Sequence, residues 1–246
     1  MKNWPAPIKT LKNLPMLHSH DLKEPIRKIH FFADRLRAQL SNRFYDEELK
    51  YFERIEGAAK RMGSLIDDLL SYSHVSMKPK LFEDVDLNNV IKLVLHDLEL
   101  QVEEKEAKIN CQTLPVIRGH QMQVRQAFQN LVSNALKFNK TGTTPDITIT
   151  CKKVQGKDLS LNVSFQEKQK DFYLLEVRDK GIGFDQEDAE RVFNVFTRLH
   201  GNSEYKGSGV GLSIVRKVAE NHNGYAMANS EAGKGTCVQV LFPVSN

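Results

Sequence analysis

The sequence predicts an α+β protein: a helical hairpin that pairs with a second copy of itself into a four-helix bundle, followed by an α/β sandwich. Two observations carry this. Residues 14–77 hold two apolar seams at heptad spacing, joined by a short polar loop. From Asp86 onward the pattern changes to amphipathic helices interleaved with stretches of period-two alternation.

In the first seam Leu22, Ile26, Ile29, Ala33, Leu36 and Leu40 are spaced 4, 3, 4, 3 and 4, which predicts a helix over about Leu14–Leu40. Ser41-Asn42-Arg43 interrupts it, and Asp46 is placed to cap a second helix. That helix repeats the seam with Phe52, Ile55, Ala59, Met62, Ile66 and Leu69 and ends near Val75, before Lys78-Pro79-Lys80. One hairpin cannot cover its own seam, so a homodimer through residues 14–77 is expected. Residues 1–13 read as a lead-in with no room for a sensor domain, and 78–86 as a linker.

Residues 87–246 form the second domain. Helices are expected over 87–107, 120–139, about 186–194 and 209–222. Strands are expected at 108–112, Ile147–Cys151, Leu159–Phe165, Phe172–Arg178, Tyr225–Ser230 and Thr236–Phe242. Helices covering one face of a mixed sheet make a sandwich. The Lys-rich 152–170 stretch is longer than the pattern requires.

Composition narrows the function. Net charge is +4 over 246 residues, with basic and acidic residues interspersed, so no nucleic-acid surface is read. No run of about 18 apolar residues is present, so no membrane contact is expected from this chain itself. Cytoplasmic localisation is expected, whether or not a longer parent protein reaches a membrane. Cys111, Cys151 and Cys237 are scattered and form no C-x-x-C pair, which disfavours a disulfide or metal framework.

The first chemical candidate is His20. With Leu22 at heptad position d and Ile26 at a, His20 falls at b and Asp21 at c, both expected to face solvent. A neutral imidazole on a rigid helix can accept a phosphoryl group while the adjacent carboxylate holds its other N–H. Alone, such a histidine is a surface residue. The string Ser19-His20-Asp21-Leu22-Lys23-Glu24-Pro25 resembles the H-box of sensor histidine kinases. His18, His30 and His74 lack that context. Many members of that family carry Thr or Asn where this chain has Glu24, so the resemblance supports kinase activity more strongly than phosphatase activity.

The second domain extends the resemblance over residues 14–246 and implies a Bergerat-type ATP-binding fold. Asn130-Leu131-Val132-Ser133-Asn134-Ala135-Leu136-Lys137-Phe138 resembles the N-box. Its polar members fall on one narrow helical face. The family pattern makes Asn134 the ligand of Mg2+ and gives Asn130 and Lys137 phosphate contacts. Asp179-Lys180-Gly181-Ile182-Gly183 resembles the G1-box, in which Asp179 accepts from the adenine amino group and Gly181 and Gly183 admit the base. Val192–Arg198 resembles the F-box, with Phe193, Phe196 and Arg198 at the base of a lid over 199–206. Lys206-Gly207-Ser208-Gly209-Val210-Gly211-Leu212-Ser213 resembles the G2-box. Such a turn at a helix start presents N–H groups to phosphate oxygens. It is no Rossmann fingerprint, since residue 212 is Leu, and no P-loop occurs.

The resemblance implies autophosphorylation of His20 from ATP and transfer to an aspartate of a response-regulator receiver domain. Two other readings are a Bergerat-fold ATPase or serine kinase, which lacks a His20 hairpin, and a non-catalytic dimeric signalling scaffold, which would not bind Mg-ATP.

Overall fold

The computed structural model describes residues 18–40, 46–77, 79, 81–159, 164–199, 205 and 207–244, with backbone alone at 18–22, 39, 40, 46, 47 and 165. The chain divides into two compact units, one ending at residue 77 and the other beginning at residue 78. The expected lead-in, residues 14–17 of the first helix, the 41–45 loop and most of 199–206 lie outside the described residues.

The first unit is a hairpin of α1 (His18–Leu40) and α2 (Asp46–Ser76). Lys23 pairs with Asp67 at 2.5 Å and Arg37 with Glu56 at 2.9 Å, so the helices run antiparallel. Ile26, Ala33 and Ala59 are buried between them. Gly63 faces Ile26 across the pair: a Cβ there would make an ordinary contact, 3.6 Å from Ile26 Cγ2. Four other seam residues stay open in one copy: Ile29, Leu36, Ile55 and Met62 are 42%, 47%, 57% and 49% exposed.

The second unit is built on a five-stranded sheet of order β2-β4-β5-β7-β6. Its strands are β2 (Lys108–Cys111), β4 (Asp146–Gln155), β5 (Asp171–Asp179), β6 (Tyr225–Glu231) and β7 (Gly235–Pro243). β2 and β4 are parallel and the other pairs antiparallel. The helices α3 (Leu87–Asp97), α5 (Gln121–Lys137) and α7 (Gly211–Asn221) form the covering layer. Phe128, Leu131, Val132 and Leu136 of α5 meet Ile214, Val215 and Val218 of α7 in a core that also takes Ile147, Ile149, Leu175 and Val240 from the sheet. The buried His222 ties this layer together at the end of α7. Its Nε2 accepts from the backbone N–H of His120 at 3.0 Å, and its Nδ1 meets the Val218 carbonyl at 2.7 Å. Burial lowers its pKa, so the neutral ring fits both bonds.

Four expectations are corrected. Residues 83–86, read within the linker, form β1 (Glu83–Asp86), which pairs antiparallel with β3 (Val116–Gly119). Asp86 then caps α3, its carboxylate accepting from Asn88 N at 2.9 Å. The single helix over 87–107 breaks at the buried Leu98 into α3 and the short α4 (Glu99–Glu104). No helix spans 186–194. Single 3-10 turns at Gln186–Asp188 and Arg191–Phe193 replace it, because the stretch is too short to propagate and must deliver Phe193 to the core. Finally, the described part of the expected strand Leu159–Phe165 is not strand. A 3-10 turn over Gly156–Asp158 precedes it, and Ser164 caps α6 (Phe165–Lys168) through a capping box with Glu167.

This β4–β5 connection accounts for the extra length of 152–170. Alternation along β5 and β7 points Phe172, Leu174 and Leu241 away from the helices, yet they are buried. Leu159 packs on them with Val154, Tyr225 and Met227. Gly156 N donates to Lys170 O at 2.8 Å, closing the loop, and the Tyr225 hydroxyl donates to Glu167, holding it down.

Candidate functional site

The site is built where the C-terminal half of α5 faces the N-terminus of α7. Asn130, Asn134 and Lys137 stand half-buried on the α5 face opposite its core residues, as their spacing predicts. Asn130 Nδ2 donates to Gln126 O at 2.9 Å, which turns its Oδ1 toward α7. A Cβ at Gly211 would lie 3.1 Å from that oxygen and 3.6 Å from Asn134 Nδ2. A side chain at 211 would therefore crowd the Asn130 carboxamide and touch that of Asn134. A Cβ at Gly207 would run into Lys137 Nζ. Gly209 has φ +77 and presses on the Thr197 carbonyl, so this turn admits only glycine there. α7 then starts at Gly211 with no side-chain cap, leaving its first backbone N–H groups to whatever binds.

The second part of the site lies at the end of β5. Asp179 Oδ1 accepts from Gly181 N at 2.8 Å and from Thr236 N at 3.2 Å. Burial raises its pKa, and the two N–H groups pull it back. Ile182 N donates to Phe138 O at 2.9 Å and Gly233 N to Ile182 O at 2.6 Å. These bonds hold the turn between the end of α5 and the β6–β7 loop. Gly183, at φ +61, closes it against the Glu231 carbonyl.

The aromatic residues divide. Phe193 is buried under Arg216, whose guanidinium carbon sits 4.4 Å from the ring centre, so it anchors the segment to α7. Phe196 is 51% exposed, with φ 64. Arg198 donates to the Tyr205 carbonyl at 2.8 Å, bridging the two ends of the 199–205 stretch. An open groove of about 1110 Å3 runs between the end of the helix at Glu99–Glu104 and the 139–145 loop and reaches Lys137, Ile182 and Tyr205, while Asn134, Asp179 and the Gly207–Gly211 turn do not line it.

His20 and Asp21 lie in the first turns of α1, and their side chains fall outside the described residues. The structure therefore gathers Asn130, Asn134, Lys137, Gly207, Gly209 and Gly211 into one cluster. It sets Asp179, Gly181 and Gly183 beside the end of α5. Sequence reasoning missed Thr236, which is 57 residues from Asp179 in the chain and has no local signal. It also missed Tyr205, whose signal was an aromatic ring in an otherwise polar run.

The donor set fits a magnesium nucleotide. An ammonium, the free N–H groups opening α7 and a glycine turn suit phosphate oxygens, and a half-buried carboxylate suits an exocyclic amine. Among the described residues no group of three or more His, Cys, Asp or Glu converges to hold a metal. A carboxamide oxygen such as that of Asn134 suits Mg2+, which takes few protein ligands and keeps phosphates and waters.

A two-layer domain with a polar helix face set against two glycine turns, and without a P-loop, has the architecture of an ATP-binding sandwich of the Bergerat type. Comparison with known proteins places it. Residues 119–246 match the family "Histidine kinase-, DNA gyrase B-, and HSP90-like ATPase", and residues 18–76 match the His Kinase A (phospho-acceptor) domain. The chain belongs to that ATPase family and, with the phospho-acceptor domain before it, is a sensor histidine kinase catalytic core. Phytochrome-like protein Cph1 of Synechocystis sp. is 30% identical over 236 residues, 96% of this chain and 29% of that protein. Cyanobacterial phytochrome A of Nostoc sp. is 30% identical over 95% of this chain and 28% of its own length. The chain thus spans under a third of these relatives. The crystal structure of full-length ShkA in complex with AMPPNP shares the fold, with TM-score 0.64 and 20% identity over 94% of this chain and 45% of ShkA. Acinetobacter baumannii histidine kinase AdeS does so with TM-score 0.57 and 17% identity over 92% of this chain and 98% of AdeS. Among the described residues no helix is long and apolar enough to cross a membrane.

Proposed function

We propose that this chain is the working core of a protein-histidine kinase, which moves the γ-phosphoryl of ATP onto His20 and from there to an aspartate of a response-regulator receiver domain. The observation that carries the reading is the convergence of Asn130, Asn134 and Lys137 on the Gly207–Gly211 turn, with Asp179 half-buried beside the end of α5. That the crystal structure of ShkA is of an AMPPNP complex supports ATP as the nucleotide.

Each residue has a physical task. Asp179 accepts from the adenine amino group. Lys137 and the N–H groups opening α7 face the phosphates and stabilise charge as it develops on them. Asn134 would hold Mg2+, whose chemistry there would be neutralisation of the phosphate oxygens, and Asn130 would contact a phosphate. The neutral imidazole of His20 forms the new P–N bond as the γ-phosphorus bond to the ADP oxygen breaks. Asp21 holds the other ring N–H and balances the positive charge left on the ring. The open seam of the hairpin supports a homodimer: Ile29, Leu36, Ile55 and Met62 sit at core heptad positions yet face solvent in one copy.

The test is incubation with γ-labelled ATP followed by mapping. The label is expected on His20, acid-labile and base-stable. His20→Gln is expected to lose at least about hundredfold in labelling, as removal of an activated nucleophile does, while nucleotide affinity stays unchanged. Retained labelling in that variant moves the acceptor elsewhere. A base-labile, acid-stable phosphate favours the serine-kinase reading, and failure to bind Mg-ATP favours the scaffold.

A further inference from the structure

We infer that Tyr205 is a positioning residue for the nucleotide site, propping Phe138 and Lys137 against the glycine turn before any nucleotide arrives. The inference rests on the nucleotide reading of that site.

Tyr205 is half-buried and contacts Phe138 and Asn139 at the end of α5 as well as Arg198. Its ring centre lies 5.3 Å from that of Phe138, tilted by 45°. Phe138 in turn carries the Lys137 ammonium 4.2 Å from its ring centre. The Tyr205 hydroxyl donates to Asn139 O at 3.2 Å, fixing the ring over the end of α5. The Tyr205 carbonyl accepts from Arg198 at 2.8 Å. Two residues further on, Gly207 lies against Lys137 Nζ. Arg198 and Gly207, on either side of Tyr205 in sequence, thus meet Tyr205 or Lys137, and Phe138, the residue that caps α5, is the aromatic contact.

The physical consequence follows from where the ordering is done. A glycine turn is free to wander, and fixing it on binding subtracts from affinity. An aromatic pair that fixes it beforehand removes that loss. Phe138 also gains, since a ring buttressed on one side keeps its other contacts, including the cation above it. The hydroxyl bond is long and half-exposed, so the ring carries most of the effect. Because these contacts lie outside the core, their loss falls on binding and not on folding.

The test uses the full chain, with AMPPNP and Mg2+ followed by calorimetry, beside autophosphorylation kinetics and thermal unfolding without nucleotide. Tyr205→Leu is expected to weaken AMPPNP binding by about two- to tenfold, the worth of one aromatic pair. The KM for ATP should rise to match while kcat and the nucleotide-free Tm hold. Tyr205→Phe, which keeps the ring, should restore binding. Equal or tighter binding by Tyr205→Leu overturns the assignment, the latter because the ring would then be occupying ligand space. A nucleotide-free Tm that falls in step with affinity also overturns it, since the residue would then be merely structural. Absence of AMPPNP binding by the unsubstituted chain overturns the nucleotide reading itself, and this inference with it.

Discussion

Asp179 illustrates how a functional side chain can work against the fold that holds it. Its carboxylate is half-buried at the end of β5, and the loss of solvent raises its pKa despite N–H donors from Gly181 and Thr236. A folded-state value above the unfolded one means that ionisation is harder in the folded protein. The penalty is therefore present at neutral pH and fades as pH falls through the carboxylate range. Asp179→Asn keeps an oxygen for both N–H donors and removes the charge. It is expected to raise Tm at pH 7, with the gain shrinking toward pH 4. The same variant should lose at least about tenfold in AMPPNP affinity, because hydrogen bonds to charged groups are worth about 1.5–3 kcal/mol. Thermal scans at the two pH values and calorimetry check both halves. A variant that binds as tightly as the parent removes Asp179 from the site.

The β4–β5 connection makes the corresponding case for a segment. A Cβ at Gly156 would collide with the Glu167 carbonyl, so the loop closes only with glycine there. Gly156→Ala is expected to cost about 1–3 kcal/mol, the usual range for overpacking, and to speed hydrogen exchange over 156–172 first. AMPPNP affinity should persist, since the strap touches the sheet face away from the helices. Slow exchange in the variant would show that the segment is held by other means.

That strap also marks where sequence reading succeeds and stops. The helices α5 and α7 and strands β4, β5, β6 and β7 were legible because their apolar periods coincide with faces that are buried. The N-box face was legible for the same reason: Asn130, Asn134 and Lys137 interrupt a pattern whose other members face the core. Leu159 misled because a single leucine laid on a sheet from above looks, in sequence, like part of a strand. The capping box Ser164–Glu167 was a readable counter-signal. The Asp179–Thr236 bond and the Tyr205–Phe138 pair were not readable, since no local pattern encodes contacts made across the sheet or back to a helix end.

The two units of the chain answer to different forces, and this separates their failure modes. The hairpin buries Ile26, Ala33 and Ala59 but leaves Ile29, Phe32, Leu36, Ile55 and Met62 in solvent. The α/β unit has its own closed core, so its nucleotide groups need nothing from a second copy to be in place. If a second copy covers the seam, a charge there must weaken pairing twice, once per protomer. Burying one large apolar side chain contributes about 1.5–3 kcal/mol. Ile55→Glu is therefore expected to weaken dimerisation by about hundredfold or more. Sedimentation equilibrium should then find monomer at concentrations where the parent is dimeric. AMPPNP affinity per chain should stay within about twofold, because the nucleotide groups are held by the α/β unit's own core. A variant that remains dimeric puts the pairing surface elsewhere than the hairpin seam. One that becomes monomeric and also loses nucleotide shows that the two units are not independent.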